Sequence, residues 1–266
     1  MTKPIALTIA GSDSGGGAGI QADLKTFQER DVFGTTVITA LTAQNTEGVH
    51  GVFPESLQAI DAQLEAVLTD LRPDAVKTGM MFSAEIIERV AFYLKKYHVE
   101  RIVIDPVMIA KGGAPLLQQE AADALKTELL PLAHTITPNL PEAEVISGLS
   151  SIQSEDAMKE AASLLHDLGA AHVVVKGGHR ETEDARDLFS DGREITVLPS
   201  PRIATKHTHG TGCTFAACIA AELAKGETAL AAVQTAKAFI TSAITHALPL
   251  GGGIGPTDHS AYRYNS

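Results

Sequence analysis

Apolar runs and amphipathic stretches alternate along most of the chain. Six short runs, rich in β-branched residues, have the length of buried strands: residues 5–11, 35–43, 74–80, 101–107, 134–139 and 172–178. Between them, apolar residues recur every three or four positions, which predicts helices over residues 56–71, 83–97, 117–130 and 154–168. Continuous apolar strands that alternate with amphipathic helices indicate an α/β protein whose parallel sheet is covered on both faces.

The last third of the chain predicts a different arrangement. The segment DLFSDGREITVLPS has the pattern of a β-hairpin that turns at Asp191-Gly192. Two Ala-rich helical stretches follow, over residues 212–224 and 227–248. No low-complexity linker, charge block or repeat divides the sequence, so we expect residues 1–266 to form one domain.

The composition limits the partners that we expect. Hydrophobic residues make up 44% of the 266 residues, and the net charge is −11. An acidic surface repels nucleic acid and lacks the polybasic patch that grips anionic membranes, so we expect neither as a partner. No apolar run approaches the roughly 18 residues of a transmembrane helix, and the first run is interpreted as a strand rather than a signal peptide.

The two cysteines indicate a reducing compartment. Cys213 and Cys218 are five residues apart on one predicted helix and would face different sides of it. An internal disulfide is therefore not expected, and a cytoplasmic location is.

Polar and glycine-rich segments follow the predicted strands. In parallel α/β sheets, ligands bind beyond the carboxyl ends of the strands. These positions hold SDSGGGAGIQAD, QNT, Met80, Asp105-Pro-Val-Met, Pro-Asn-Leu-Pro-Glu142 and Lys176-Gly-Gly-His. Turn chemistry explains any one of these segments but explains six together poorly, so the sequence predicts a ligand site at this edge.

The segment HTHGTGCTFAACIAAELAKG carries the strongest single indication of chemistry. Gly210, Thr211 and Gly212 allow backbone N–H groups to turn toward one point at the positive end of the following helix. This arrangement predicts an anion hole for a phosphoryl group in transfer. The same helix dipole is expected to lower the pKa of the Cys213 thiol, which could then accept a proton from an attacking hydroxyl. The alternative is that Cys213 is a packing residue at a tight helix start.

Two common nucleotide-binding motifs do not occur in the sequence. There is no G-x-x-x-x-G-K-[ST] segment, which disfavours a P-loop kinase. No stretch satisfies G-x-G-x-x-G, which removes the main local support for a dinucleotide-dependent dehydrogenase.

Two acidic and two basic residues are candidates for binding a metal–phosphate group. Asp105 and Glu142 follow predicted strands, and strand-end carboxylates suit Mg²⁺, which keeps water and phosphate oxygens as its other ligands. The alternative for Glu142 is a residue in the first turn of a helix with Asn139 as its N-cap. Lys176 ends a strand and could contact phosphates. Lys237 could do so from the opposite wall, although an exposed helix lysine is the commoner case.

Seven segments resemble segments of the hydroxymethylpyrimidine/phosphomethylpyrimidine kinase family of thiamine biosynthesis, which is part of the ribokinase-like superfamily. They occur in the same order and extend over nearly the whole chain. They are GSDSGGGAGIQADLKTF, TAQNTEGV, KTGMM, VIDPVM, TPNLPEAE, VVKGGH and HTHGTGCTF. The resemblance implies a three-layer α/β/α fold with a mainly parallel central sheet. It also implies two successive transfers of the ATP γ-phosphoryl group with Mg²⁺, first to 4-amino-5-hydroxymethyl-2-methylpyrimidine and then to its monophosphate, and it implies a homodimer.

The resemblance assigns substrate contacts. Gln44 matches the family residue that binds the amine and the ring nitrogen of the pyrimidine. A carboxamide can form hydrogen bonds with both of these atoms at once. Met80 and Val107 match residues that sandwich the ring, with core packing as the alternative. Gly11 would let the substrate approach the backbone. Asp23 matches a residue near the substrate, with a solvated helix residue as the alternative.

The remaining assignments concern the phosphoryl group. Lys176, Asn139 and Lys237 are expected to bind ATP, and Asp105 and Glu142 to hold Mg²⁺. The catalytic set is Gly210, Thr211, Gly212 and Cys213, where the cysteine replaces the aspartate base of many superfamily members.

Three alternatives to this function remain open. The first is a pyridoxine or pyridoxal kinase, since related chains with the same cysteine can also phosphorylate pyridoxal-type vitamers. A non-catalytic pyrimidine sensor and a dinucleotide oxidoreductase are the other two.

Overall fold

One nine-stranded sheet forms the centre of the computed structural model, which describes residues 3–108, 120–178 and 184–265. The strands are β1 (Ile5–Asp13), β2 (Phe33–Asn45), β3 (Gly48–Pro54), β4 (Ala75–Thr78), β5 (Ile102–Ile104), β6 (Thr135–Ile136), β7 (His172–Lys176), β8 (Asp184–Ser190) and β9 (Ile195–Pro201). Their order in the sheet is β3-β2-β1-β4-β5-β6-β7-β8-β9.

The sheet is parallel in its middle and antiparallel at its edges. Neighbours from β2 through β1, β4, β5 and β6 to β7 are all parallel. β3 is antiparallel to β2 at one edge, and β8 and β9 form an antiparallel hairpin at the other. The mainly parallel sheet and the hairpin around Asp191-Gly192 are confirmed. β3 was not predicted.

Three predicted strands are longer than the observed ones. The runs over residues 74–80, 101–107 and 134–139 contain β4, β5 and β6, which have four, three and two residues. The last residues of each run leave the sheet and form the loops in which Met80, Asp105 and Asn139 stand. The sequence pattern therefore overestimates the strands at the edge where the site lies.

Nine α-helices occur in the described residues. They are α1 (Gly19–Glu29), α2 (Leu57–Asp70), α3 (Ala84–Lys96), α4 (Ala121–Ala124), α5 (Leu140–Ser147), α6 (Glu155–Asp167), α7 (Thr211–Ala224), α8 (Ala229–Thr245) and α9 (Ala261–Asn265). Side-chain caps start α2, α3, α6 and α8 at Ser56, Ser83, Ser154 and Thr228. None of these helices combines the length and apolarity that a bilayer crossing demands.

The predicted helix over residues 117–130 is wrong in part. Residues 117–119 lie outside the described residues, and α4 begins only at Ala121. A π-helical turn, Leu125–Leu129, and a 3-10 turn, Leu130–Leu132, follow it. Pro131 has no N–H group, so the α-helical pattern cannot continue through it. Helix α1 was not among the predicted helices, and the start of α5 was considered only as the alternative role of Asn139 and Glu142.

Two hydrophobic layers cover the sheet, which confirms the three-layer α/β/α fold. On one face, Leu64 of α2, Ile87 of α3 and Leu165 of α6 pack against strand residues such as Ile9. On the other face, α1, α7 and α8 pack against residues such as Ala6. Successive strand residues alternate between these layers because their side chains point to opposite faces.

Candidate active site

The first turn of α7 meets the ends of β5 and β7 at Gly212. A Cβ atom on Gly212 would lie 3.5 Å from Asp105 Oδ2 and 3.6 Å from Lys176 Nζ. No described side chain caps α7. The Thr211 N–H donates to the Thr208 carbonyl oxygen at 3.3 Å, and the N–H groups that follow it in the first turn can receive an anion. The structure thus brings together the predicted anion hole, one predicted metal ligand and one predicted phosphate ligand.

The turn before α7 is fixed by contact with the glycine-rich loop after β1. Gly210 adopts a left-handed φ of 82° as the N-cap of α7. A Cβ atom on Gly210 would overlap the carbonyl oxygen of Gly17. Both the backbone conformation and this approach require glycine. Thr211 supports the turn by donating its hydroxyl to the carbonyl oxygen of Thr208 at 2.8 Å.

Asp105 is a buried carboxylate with one unsatisfied oxygen. Lys176 Nζ lies 3.2 Å from Asp105 Oδ1, and Asp105 is 2% exposed. Asp105 Oδ2 has no hydrogen-bond partner among the described residues. Burial opposes the charge of Lys176, but Asp105 and Glu142 outweigh it and raise the pKa of the ammonium group. A buried carboxylate oxygen without a partner favours a cation at this position.

Glu142 and Asn139 form the capping box that starts α5. Asn139 Oδ1 accepts from the Glu142 N–H at 2.9 Å, and Glu142 Oε2 accepts from the Asn139 N–H at 2.8 Å. Burial raises the pKa of Glu142 to about 7, Lys176 opposes this shift and Asp105 adds to it. The helix-start alternative is therefore correct, and the roles of Asn139 toward ATP and of Glu142 toward a metal stay predictions.

Two carboxylates beside an ammonium group fit a Mg²⁺ site. Asp105 offers an unsatisfied oxygen, and the Asp105 charge raises the pKa of Glu142, which places the two carboxyl groups within electrostatic reach. No group of three or more His, Cys, Asp or Glu side chains in the described ranges forms a metal cage. Mg²⁺ is ordinarily held through one or two carboxylates plus water and phosphate oxygens, which these residues can provide.

The expected low pKa of Cys213 is wrong. Burial raises the pKa of this thiol to about 11, and the charges of Asp23 and Asp105 add to the shift. Lys77 and a backbone hydrogen bond with Gly19 oppose it without reversing it. Cys213 does lie in the first turn of a helix, but its burial and two nearby carboxylates raise the pKa of the thiol there.

Asp23 is not the solvated helix residue of the alternative interpretation, and its role near the substrate stays a prediction. Its carboxylate is fully buried, accepts from Thr8 Oγ1 at 2.6 Å and pairs with Lys77 Nζ at 2.9 Å. Lys77 is fully buried as well. Burial lowers the pKa of its ammonium group, but Asp23 and then Cys213 and Asp105 raise it overall. Both charges of this ion pair act on the Cys213 thiol: Lys77 lowers its pKa, and Asp23 raises it.

The predicted ring-binding residues lie along the ends of β1, β2, β4 and β5. A Cβ atom on Gly11 would overlap the Met80 methyl group, so these two residues are in contact. Gln44 and Val107 are half-buried, whereas Met80 is 7% exposed. The pyrimidine contacts of all four residues stay predictions.

Lys237 is not the exposed helix lysine of the alternative interpretation. Its Nζ lies 2.6 Å from Asp187 Oδ2 and donates to the Ala185 carbonyl oxygen at 3.2 Å. Asp187 Oδ1 in turn accepts from the Gly177 N–H at 3.0 Å. The pair therefore supports the backbone directly after Lys176, and its contact with ATP stays a prediction.

Asp13 and His209 were missed by the sequence analysis. Asp13 is 3% exposed and pairs with His209 Nε2 at 2.8 Å. Burial opposes its ionisation, but the hydrogen bonds from His209 and from the loop backbone lower the pKa of Asp13. The available sequence signal was an aspartate at the start of a glycine-rich turn, which commonly accepts from backbone N–H groups. No local signal pairs this aspartate with a histidine 196 residues away.

Comparisons with known proteins point to one family. A family model described as phosphomethylpyrimidine kinase matches residues 13–258. The hydroxymethylpyrimidine/phosphomethylpyrimidine kinase of Haemophilus influenzae is 58% identical over 261 residues, which cover 96% of each chain. The protein of that name from Bacillus subtilis is 54% identical, covering 98% of this chain and 96% of its own. The pyridoxine kinase of Bacillus subtilis is 49% identical, covering 100% and 99%.

Solved structures of similar proteins have the same fold. The ADP complex of Bacillus subtilis pyridoxal kinase has a TM-score of 0.94 and 48% identity, covering 99% of this chain and 100% of its own. The Staphylococcus aureus pyridoxal kinase with AMP-PCP and pyridoxal has a TM-score of 0.93 and 40% identity, covering 100% and 96%. The phosphomethylpyrimidine kinase of Clostridium difficile has a TM-score of 0.82 and 45% identity, covering 91% and 100%.

Proposed function

Since the chain belongs to the phosphomethylpyrimidine kinase family, we propose that it phosphorylates 4-amino-5-hydroxymethyl-2-methylpyrimidine and then the resulting monophosphate. The donor is ATP, and the product is the diphosphate used in thiamine diphosphate biosynthesis. The chain is thus a phosphotransferase with a ribokinase-like fold. The observation that carries this function is the uncapped start of α7 at Gly212, which faces Asp105 and Lys176.

Both transfers follow an in-line path. In the first, the hydroxymethyl oxygen forms a bond to the γ-phosphorus while the bond from that phosphorus to the β–γ bridging oxygen breaks, which releases ADP. The hydroxyl proton passes to Cys213 Sγ in its thiolate form. In the second transfer the acceptor is an ionised phosphate, so no base is required. The N–H groups of the Gly210–Cys213 turn hold the equatorial oxygens during both transfers.

The charged residues around the turn neutralise the phosphates. Lys176 lies beside the start of α7 and contacts the ATP phosphates, Lys237 does so from the opposite wall, and Asn139 also binds ATP. Asp105 and Glu142 would hold Mg²⁺, which would supply charge neutralisation for the transferring phosphoryl group. Positioning and electrostatics provide most of the acceleration, and the base a smaller part.

The proposal extends to the organisation of the protein. Residues 1–266 act as one kinase domain, and the chain functions as a homodimer. Its location is cytoplasmic, which is supported by two cysteines that are both free thiols.

The test is an ATP-dependent phosphorylation assay with mass detection of products. The aminopyrimidine should give a monophosphate and then a diphosphate, with one ADP released per step. The proposal is contradicted if the enzyme binds ATP but forms neither the monophosphate nor the diphosphate.

A second candidate is a pyridoxine or pyridoxal kinase. It is supported by the 49% identical pyridoxine kinase of Bacillus subtilis, over the full length of this chain, and by the TM-score of 0.94 to a pyridoxal kinase. Pyridoxine, pyridoxal and the aminopyrimidine should therefore be compared by kcat/KM in the same assay. A higher kcat/KM for either vitamer favours this candidate.

A further inference from the structure

The glycine-rich loop after β1 holds the backbone of Gln44 through the side chain of Ser14. Ser14 Oγ donates to the Gln44 carbonyl oxygen at 2.7 Å and accepts from the Gln44 N–H at 2.9 Å. A hydroxyl has one hydrogen and two lone pairs, so it can form both hydrogen bonds at once. One side chain therefore binds both backbone groups of the residue that is predicted to contact the pyrimidine.

These two hydrogen bonds replace strand pairing at the end of β2. The last residue pair of the parallel ladder between β1 and β2 is Asp13 with Thr42. On the other side of β2, the register with β3 shifts between Ala43 and Gln44, which interrupts the regular ladder there. Backbone groups beyond the end of a ladder need other partners. Ser14 thus gives Gln44 the support that β1 no longer provides.

The loop that carries Ser14 is itself fixed by the Asp13 carboxylate. Asp13 Oδ1 accepts from the Gly15 N–H at 2.8 Å. Asp13 Oδ2 accepts from the Gly17 N–H at 3.0 Å and from the Ala18 N–H at 2.8 Å. Because Asp13 is 3% exposed, water competes little for these hydrogen bonds. The loop on both sides of its middle is therefore held to one carboxylate.

The same loop also contacts the turn that starts α7. The Gly17 carbonyl oxygen lies where a Cβ atom on Gly210 would stand. Asp13 Oδ2 pairs with Nε2 of His209, the residue before Gly210, at 2.8 Å. One part of the loop thus holds the predicted ring-binding residue, and another part holds the predicted anion hole. The loop therefore determines how far apart these two parts of the site lie.

We propose that Ser14 is a positioning residue for phosphoryl transfer, which holds Gln44 at a fixed distance from the turn at Gly210. A pyrimidine bound at Gln44 then presents its hydroxymethyl oxygen to the phosphorus held at that turn. Without the Ser14 hydroxyl, the end of β2 can move relative to the loop, and the bound ring moves with it. A displacement of about 1 Å at the reacting atoms can lower the rate about 100-fold. The inference rests on the proposed function.

The test measures kcat and KM for the first phosphorylation in variants of Ser14. Ser14→Ala should lower kcat/KM for the aminopyrimidine about 10- to 100-fold, through a higher KM for this substrate and a lower kcat. The affinity for ATP, measured by titration calorimetry, should stay at the wild-type value because the loss concerns the acceptor. Ser14→Thr keeps the hydroxyl and should retain most of the wild-type kcat/KM. Ser14→Val has the shape of threonine without the hydroxyl and should behave as Ser14→Ala does.

A double-mutant cycle with Gln44 separates positioning from general damage. If Ser14 acts through Gln44, then Ser14→Ala should add less than about twofold to the loss that Gln44→Ala already causes. The matched control is Ser154→Ala, which removes a serine hydroxyl that accepts from the Ala157 N–H at 3.1 Å at the start of α6. This control should leave kcat/KM unchanged.

The outcomes distinguish this inference from the proposed function. A wild-type enzyme that does not phosphorylate the aminopyrimidine overturns the proposed function and the inference with it. If the wild type is active, an unchanged kcat/KM in Ser14→Ala, or a loss that persists in full beside Gln44→Ala, overturns the inference alone. A loss that Ser14→Thr restores and that Gln44→Ala abolishes supports it. Circular dichroism melts identify folded variants, and Ser14→Thr against Ser14→Val decides the question if Ser14→Ala does not fold.

Discussion

The raised pKa of Cys213 makes the two phosphoryl transfers differ in their dependence on pH. If the thiolate is the base, it must form first, and the pKa of about 11 leaves it scarce near neutral pH. At pH 7.5 the difference of about 3.5 units corresponds to roughly 5 kcal/mol, or about one thiolate in 3,000 molecules. Because the pKa is raised, the thiolate fraction grows about tenfold for each unit of pH until pH approaches 11.

The expected result is a steep profile for the first transfer and a flat one for the second. Between pH 7.5 and 9.5, the first phosphorylation should accelerate about 100-fold at saturating ATP. The second should change little, because its acceptor is already ionised. Single-turnover measurements with mass detection of the monophosphate and diphosphate give the two rates separately.

Substitution of each cysteine provides the variant and its control. Cys213→Ala should remove the pH slope and slow the first transfer by about 10²- to 10⁴-fold at pH 9.5, with a smaller effect on the second. Cys218→Ala removes the other thiol of α7, which is fully buried in the core, and should leave both profiles as in the wild type. A slope that persists in Cys213→Ala, or equal losses in both transfers, refutes the assignment of the base.

Three other predictions concern stability. Lys77→Met should destabilise the fold by about 3–5 kcal/mol in urea unfolding, because it leaves the Asp23 carboxylate buried without its partner, and adding Asp23→Leu should restore part of that loss. Gly210→Ala should cost about 2–4 kcal/mol in the same measurement and abolish transfer, whereas unchanged stability would contradict the contact with Gly17. Burial lowers the pKa of His134 to about 4, so stability should fall by about 1–2 kcal/mol between pH 6.5 and 4 as the unfolded chain binds the proton first. His134→Asn should weaken that dependence, and an identical pH profile would show that another group causes it.

The location of the candidate site was predictable from the sequence, because it follows from the positions of the polar segments after the predicted parallel strands. The carboxyl ends of parallel strands meet at one edge, so the residues after β1, β2, β4, β5 and β7 had to approach one another. The apolar periodicity likewise predicted both helical layers. Helix α1 was missed because it begins at the end of a glycine-rich loop, and β3 because its glycines and half-exposed side chains give no alternating pattern.

The properties that depend on distant residues were not predictable. The Cys213 pKa is set by burial and by Asp23 and Asp105, which lie on other elements. The partner of Asp23 is Lys77, 54 residues away, and nothing in the sequence around either residue indicates the pairing. The terminal residues of the short strands were assigned to the sheet because a pattern of apolar residues does not show where ladder hydrogen bonds stop.

The contact between the Gly17 carbonyl oxygen and Gly210 has a consequence for synthesis on the ribosome. The phosphate-holding turn has no support until a segment near residue 210 returns to a loop made at the very beginning of translation. Contacts between such distant parts of a chain form slowly, since a long loop must close before these contacts can stabilise the fold. A nascent chain that lacks its last quarter can therefore assemble much of its sheet while still being unable to cradle a nucleotide's terminal phosphate.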